Sequence, residues 1–255
     1  MTALPIRIVL VDTSHPGNIG AAARAMKNME LGELVLVRPR QFPHPDARAR
    51  ASGADDVLAN ARVFDRLTAA LAGCGLVLAS TSRTRDHYYR VLDVREAAAR
   101  AVAECAHSPV AIVFGGEHSG LSNEDLQPAH ALLRIPTGAA YASLNLAMAV
   151  QVVAYELLRA RGGGAPPVAA REQPLADPPA MARLYEHLEA VLEEVDFRDR
   201  TQHGGNLMNR FRRFLQRAEL DGNELNILRG LLTAVQRRRR RAGAAGPART
   251  LVPPT

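Results

Sequence analysis
The chain has 255 residues, 47% of them hydrophobic, and a formal net charge of +6. That length suits one large domain plus a small one, and no apolar run approaches the ~20 residues of a membrane helix, which excludes a membrane-spanning class. Only two cysteines occur, Cys74 and Cys105; neither has ligand spacing, which excludes a disulfide framework and a zinc site and leaves reduced, buried thiols.

In chain order, the first residues run directly into a strand over 6–12, with no charged and apolar leader, so the sequence reads as cytoplasmic. Thr13-Ser-His-Pro-Gly-Asn-Ile-Gly20 follows, then a helix over 20–29. Further strands are predicted over 33–37, 76–80, 110–114 and 131–135, with a weak one over 62–64. Helices are predicted over 47–52, 65–72 and 95–106. Strand and helix in alternation imply an α/β fold, a mostly parallel sheet with helices on both faces. Ligands then bind beyond the carboxyl ends of the strands.

Three loops leave strands at that edge. The first is 13–20. The second is Gly115-Gly-Glu-His-Ser-Gly-Leu-Ser-Asn-Glu-Asp-Leu126. The third runs from Ile135 through Thr137, Gly138 and Tyr141 to Ser143-Leu-Asn-Leu146 and opens a helix over 143–159 that is apolar on almost every face. Ser143 is placed as its N-cap. Such a helix must be covered all round, so pairing with a second copy is expected. Gly17-Asn-Ile-Gly20 lacks both the dinucleotide spacing and a Walker lysine. His15, His118 and His203 are isolated, which leaves no metal site.

Beyond residue 161 the composition changes. Glycines and prolines over 162–179 read as a linker. Three helices are predicted over 181–195, 206–218 and 223–241, and an Ala/Gly/Pro-rich tail over 242–255 reads as disordered. The domains are thus 1–161, a linker 162–179, a helical unit 180–241 and the tail 242–255. Charge is local: residues 1–160 carry +1, whereas 200–241 hold 11 arginines against 3 acids. A concentration of this kind is the footprint of nucleic-acid binding, with a solubilising helix face as the other reading. Phe211 and Phe214 are placed in the core, and Leu225, Leu228, Leu231, Leu232 and Val235 inward.

The three loops together resemble the motifs of the SPOUT class of trefoil-knotted RNA methyltransferases, and most closely the TrmJ-like subfamily. The resemblance covers residues 6 to about 159 and resumes over 204–229. It implies a knotted sheet, S-adenosyl-L-methionine as cofactor, a homodimer, and 2′-O-methylation of cytidine or uridine at position 32 of the tRNA anticodon loop. By the same match Ser80, Thr81, Ser82, Gly115, Ile135, Ala142, Ser143 and Leu144 contact the cofactor. Arg24, Asn18, Glu117, Ser143 and Asn145 serve catalysis. Arg24, set among alanines and too basic to act as a free base, holds the target phosphate and polarises the 2′-OH. Asn18 orders the first loop or touches the ribose, and Glu117 accepts from a loop N–H or aligns the substrate. Asn145 falls inside the predicted helix, where Asn is mildly unfavourable. Arg210, Arg212, Arg213 and Arg217 follow the RNA backbone. One departure is Gly116, where TrmJ-like proteins often carry Arg, which implies a more permissive second loop. Two other readings remain: a related SPOUT enzyme acting on ribosomal RNA or another tRNA position, and an RNA-binding protein without catalysis.

Overall fold
The computed structural model describes residues 4–82, 89–138, 142–162, 174–197 and 207–244. Seven strands form one sheet: β1 Ile6–Val11, β2 Glu33–Val37, β3 Arg62–Phe64, β4 Leu76–Ser80, β5 Val91–Asp93, β6 Val110–Phe114 and β7 Ala131–Arg134. Their order is β3-β2-β1-β6-β4-β7-β5, and every pairing is parallel. β6 is a continuous apolar run, and β1 and β4 are interrupted only by Arg7 and by the terminal Ser80, because both faces of a parallel sheet are covered. The sheet order brings the carboxyl ends of β1, β6, β4 and β7 side by side, which gathers all three loops at one edge.

The first face carries α1 Pro16–Asn28, α2 Pro45–Ala51, α3 Asp55–Ala59, α5 Val94–Glu104 and α7 Leu146–Gly162. Ile8, Leu10, Leu78 and Ile112 meet Ile19, Val150 and Val153 there in one buried cluster. The other face carries the short helices α4 Leu67–Ala70 and α6 Asn123–Leu126. Both cysteines are free. Burial pushes the Cys74 thiol up to about 11 and the Cys105 thiol up to about 12, which keeps both protonated and unreactive at neutral pH.

α8 Pro178–Glu194, α9 Leu207–Ala218 and α10 Gly222–Ala244 build a second, smaller core around Met181, Leu184, Tyr185, Leu215 and Leu225. This unit attaches at the amino ends of the strands. The Gln216 amide donates to the Pro128 carbonyl (2.8 Å), and the Gly73 N–H donates to Asp177 (3.2 Å). Arg100 pairs with Glu219.

Several expectations change. Leu175 and Ala176 are buried and Pro178 opens α8, inside the stretch read as linker; residues 163–173 lie outside the described ones. α10 continues through residue 244, past the predicted end at 241, while 245–255 lie outside the description. Leu231 is 61% exposed, not inward. Only Leu225 of that stripe is fully buried, because α8 and α9 cover one narrow side of α10. Among the described residues no helix is long and apolar enough to cross a membrane.

Candidate functional site
The three loops meet on Glu117. Its carboxylate accepts from the Ser14 N–H (2.9 Å), the Ser14 hydroxyl (2.8 Å) and the Asn18 amide (2.7 Å), with the His15 N–H at 3.4 Å. Asn18 in turn accepts from the Asn145 amide at 3.1 Å. One carboxylate therefore ties the second loop to the first, and through Asn18 to the third. Burial pushes the Glu117 carboxyl up, but the bonds from Asn18, the Ser14 N–H, its own N–H and the Ser14 hydroxyl outweigh it and hold the group at about 2. At neutral pH it is an ionised acceptor with its lone pairs engaged, so its part is positioning the loops rather than moving a proton.

Asn145 explains itself in the same cluster. α7 begins at Leu146, three residues later than predicted. The Asn145 carbonyl accepts from Ala149, and its side chain accepts from the Ala147 N–H at 2.9 Å. Asn145 is the N-cap and Ser143 is not; Asn caps at least as well as Ser, and here the spare amide reaches Asn18. His15, isolated in the sequence, caps α1 by accepting the Gly17 N–H on Nδ1 (3.1 Å). His44 caps α2 in the same way, from Asp46. In both, Pro follows at the first helical position, and His-Pro before a periodic run is the signal that could have found them.

A further clamp was not anticipated. Arg38 grips Asp12 with two bonds of 2.9 Å and reaches Asp125 at 3.1 Å. It fixes the carboxyl ends of β1 and β2 against α6. Asp12 and Arg38 both take left-handed backbone (φ +52° and +49°) to do so.

Beside this cluster lies a cavity of about 300 Å³. It is lined by Ser80, Thr81 and Ser82, by Gly115 with Gly116 and Glu117, by Ile135, and by Ala142, Ser143 and Leu144, over a floor of Phe114, Leu146 and Ala149. All eight residues expected at the cofactor border it; residues 139–141, in the same loop, lie outside the described ones. Two glycines shape its wall. A Cβ on Gly115 would stand 2.2 Å from the Gly120 carbonyl carbon, and one on Gly116 would stand 2.4 Å from the Asp12 carbonyl oxygen. Glycine at 116 thus makes the second loop tighter, not more permissive: it lets β1's end press against the backbone.

Arg24 stands apart. It lies nearly two turns along α1 from Asn18, is exposed, and does not border the cavity of its own chain. The C-terminal arginines divide. Arg210, Arg213 and Arg217 share one face of α9 and line a separate recess. Arg212 turns inward, with its guanidinium 5.8 Å from the Tyr185 ring centre. Phe214 is not core but 49% exposed, since α9 buries Leu215 and Gln216 on its opposite side.

Residues 5–155 match the SpoU rRNA Methylase family, and residues 179–244 match the C-terminal domain of the tRNA methyltransferase TrmJ. The tRNA (cytidine/uridine-2'-O-)-methyltransferase TrmJ of Photorhabdus laumondii is 48% identical over 91% of this chain and 97% of its own length. The protein of the same name from Klebsiella pneumoniae is 47% identical over 91% and 96%. Among solved structures, TrmJ from Z. mobilis ZM4 superposes with a TM-score of 0.77 at 33% identity, covering 90% of this chain and 98% of that one. These matches run along nearly the whole length of both relatives and of the solved structure, and the chain belongs to the SpoU rRNA Methylase family, in its TrmJ branch.

Proposed function
We propose that the chain transfers a methyl group from S-adenosyl-L-methionine to a ribose 2′-OH of cytidine or uridine in tRNA, with position 32 of the anticodon loop as the target that its motifs imply. The observation that carries this reading is the cavity beside Glu117, since three loops from distant parts of the chain converge there on one carboxylate. Its wall of hydroxyls and bare glycine backbone over an apolar floor fits a nucleoside with a charged amino-acid arm. When bound, the cofactor supplies an electrophilic methyl on a sulfonium. Ser80, Thr81, Ser82, Gly115, Ile135, Ala142, Ser143 and Leu144 would hold it; Glu117, Asn18 and Asn145 keep the holding loops in register. Holding reactants in line is worth up to roughly 7–11 kcal/mol in intramolecular models, so the rigidity of this cluster is itself a catalytic asset.

Arg24 binds the phosphate beside the target and polarises its 2′-OH. Because Arg24 does not border its own cavity, this role needs a second chain. The outer face of α7 offers the contact: Met148 and Tyr155 are 62% and 47% exposed on one side of the helix. A homodimer through α7 and its neighbour α1 covers that apolar face and brings Arg24 to the other subunit's cavity mouth. The reaction belongs in the cytoplasm, where tRNA and reduced thiols coexist.

The test is methyl transfer from labelled S-adenosyl-L-methionine to unmodified tRNA, read by nucleoside mass spectrometry. A 2′-O-methylated pyrimidine nucleoside mapped to position 32 is expected. Product in ribosomal RNA alone would move the assignment to another substrate, and no cofactor binding would leave an RNA-binding protein. Arg24→Lys should lower the rate ~100-fold, as loss of a placed donor does, because Lys cannot reproduce the two-pronged grip. Near-full activity with an unchanged pH–rate profile would remove Arg24 from this role.

A further inference from the structure
The recess on α9 has no part in the cavity described above. It measures about 300 Å³ and is lined by Leu207, Arg210, Phe211, Arg213, Phe214 and Arg217. The two phenyl rings sit 6.0 Å apart and tilted by 51°, so Phe211 lies against Phe214 while Phe214 remains half open to solvent. α9 holds four arginines and no acid. Positions 210, 213, 214 and 217 fall on one side of a helix. The opposite side is fixed: Gln216 is 5% exposed, donates to the Pro128 carbonyl and accepts from the Tyr185 hydroxyl (3.0 Å). The open face is therefore held in place rather than left over from loose packing.

We propose that this face is a stacking subsite for one unpaired nucleobase of the substrate RNA, with Phe214 as the platform and Arg210, Arg213 and Arg217 holding the adjoining phosphates. The proposal rests on the reading of the chain as a tRNA enzyme, and names how the helical unit engages that substrate. An exposed phenyl ring among guanidinium groups has the chemistry of a single-strand contact: every base offers a π-face, and the charge beside it suits a phosphodiester. An apolar protein segment would use the ring but give the guanidinium groups beside it no part in the contact. Phosphate contact alone would use the arginines but leave the ring in water.

The two kinds of contact separate by salt. Stacking is largely salt-independent, whereas each phosphate contact adds about 0.7–0.9 to the slope of log affinity against log salt. The experiment is equilibrium binding of the full-length protein to unmodified tRNA across a salt series, with Phe214→Ala, Phe214→Tyr, Phe214→Leu and Arg217→Ala, each checked by thermal melting. Phe214→Ala should bind about 5- to 150-fold more weakly with the wild-type salt slope. Tyr should restore the affinity, Leu should not, and Arg217→Ala should flatten the slope by about one contact. Wild-type affinity in Phe214→Ala overturns the subsite, as does rescue by Leu, or a change in oligomeric mass in place of a change in affinity. The reading of function fails separately, when the wild-type protein binds tRNA yet yields no methylated nucleoside. A wild-type protein that does not bind tRNA overturns both.

Discussion

Glu117 is the residue on which the loops depend, and its electrostatics make a specific demand. Its carboxyl is held at about 2 in the folded protein, against ~4.3 when unfolded. A depressed folded value means that the carboxylate stabilises the fold fully above the unfolded value and loses that contribution as pH falls through ~4 towards 2. Glu117→Gln keeps the shape but presents an amide NH₂ where an acceptor is needed, leaving either the Ser14 or the Asn18 donor unmatched. The melting temperature of this variant should lie below wild type at pH 6, and the difference should shrink as pH approaches 2.5. A difference that stays constant over that range would mean that the charge on Glu117 does not hold the loops. The motif picks out Glu117, and acceptance from a loop N–H is one of the two roles expected of it; the Ser14 N–H fills that role. What the order of residues does not announce is the identity of the donors, because Asn18 and Ser14 lie 99 and 103 positions away.

At the scale of elements, the second loop tests how close two backbones may come. The 115–121 turn closes on itself through the Gly120 N–H and the Gly116 carbonyl (2.9 Å). Gly115→Ala would drive a methyl into backbone, which cannot rotate away as a side chain can. The expected cost is about 1–3 kcal/mol, with weaker S-adenosyl-L-methionine binding, measured by thermal denaturation and equilibrium dialysis; a variant that matches wild type in both would show that the turn has slack. The same scale shows what sequence patterns carry. β2, β4 and β6 fall on their predicted limits because a strand buried on both faces is a nearly unbroken apolar run, with Glu33 and Ser80 only at the ends. β5, α3 and α6 are three to five residues long, too short for any periodicity to emerge. A hydroxyl before an apolar run satisfies the capping rule at Ser143; Asn145 satisfies it too, and its bond to Asn18 decides. Helical spacing alone points Phe214 and Leu231 inward, but spacing says which residues share a face, not whether another element covers that face.

For the whole molecule, the decisive arrangement is that the helical unit joins the sheet at the amino ends of β4 and β7, while the cavity opens at their carboxyl ends. A five-residue strand puts about 17 Å between those levels. Fixed polar ties at Gln216–Pro128, Gly73–Asp177 and Arg100–Glu219 hold the unit at that level. On the proposed reading such a molecule would work as a ruler: one end would take hold of a landmark in the RNA, and the other would reach whichever ribose lies a set distance away. Choice of target is then a matter of length as much as of base identity. A tRNA whose anticodon stem is longer by one base pair should still bind, because the landmark is intact, yet be methylated poorly or at a neighbouring nucleotide. Unchanged rate and position on the lengthened RNA would mean that the enzyme finds its ribose by the local loop alone.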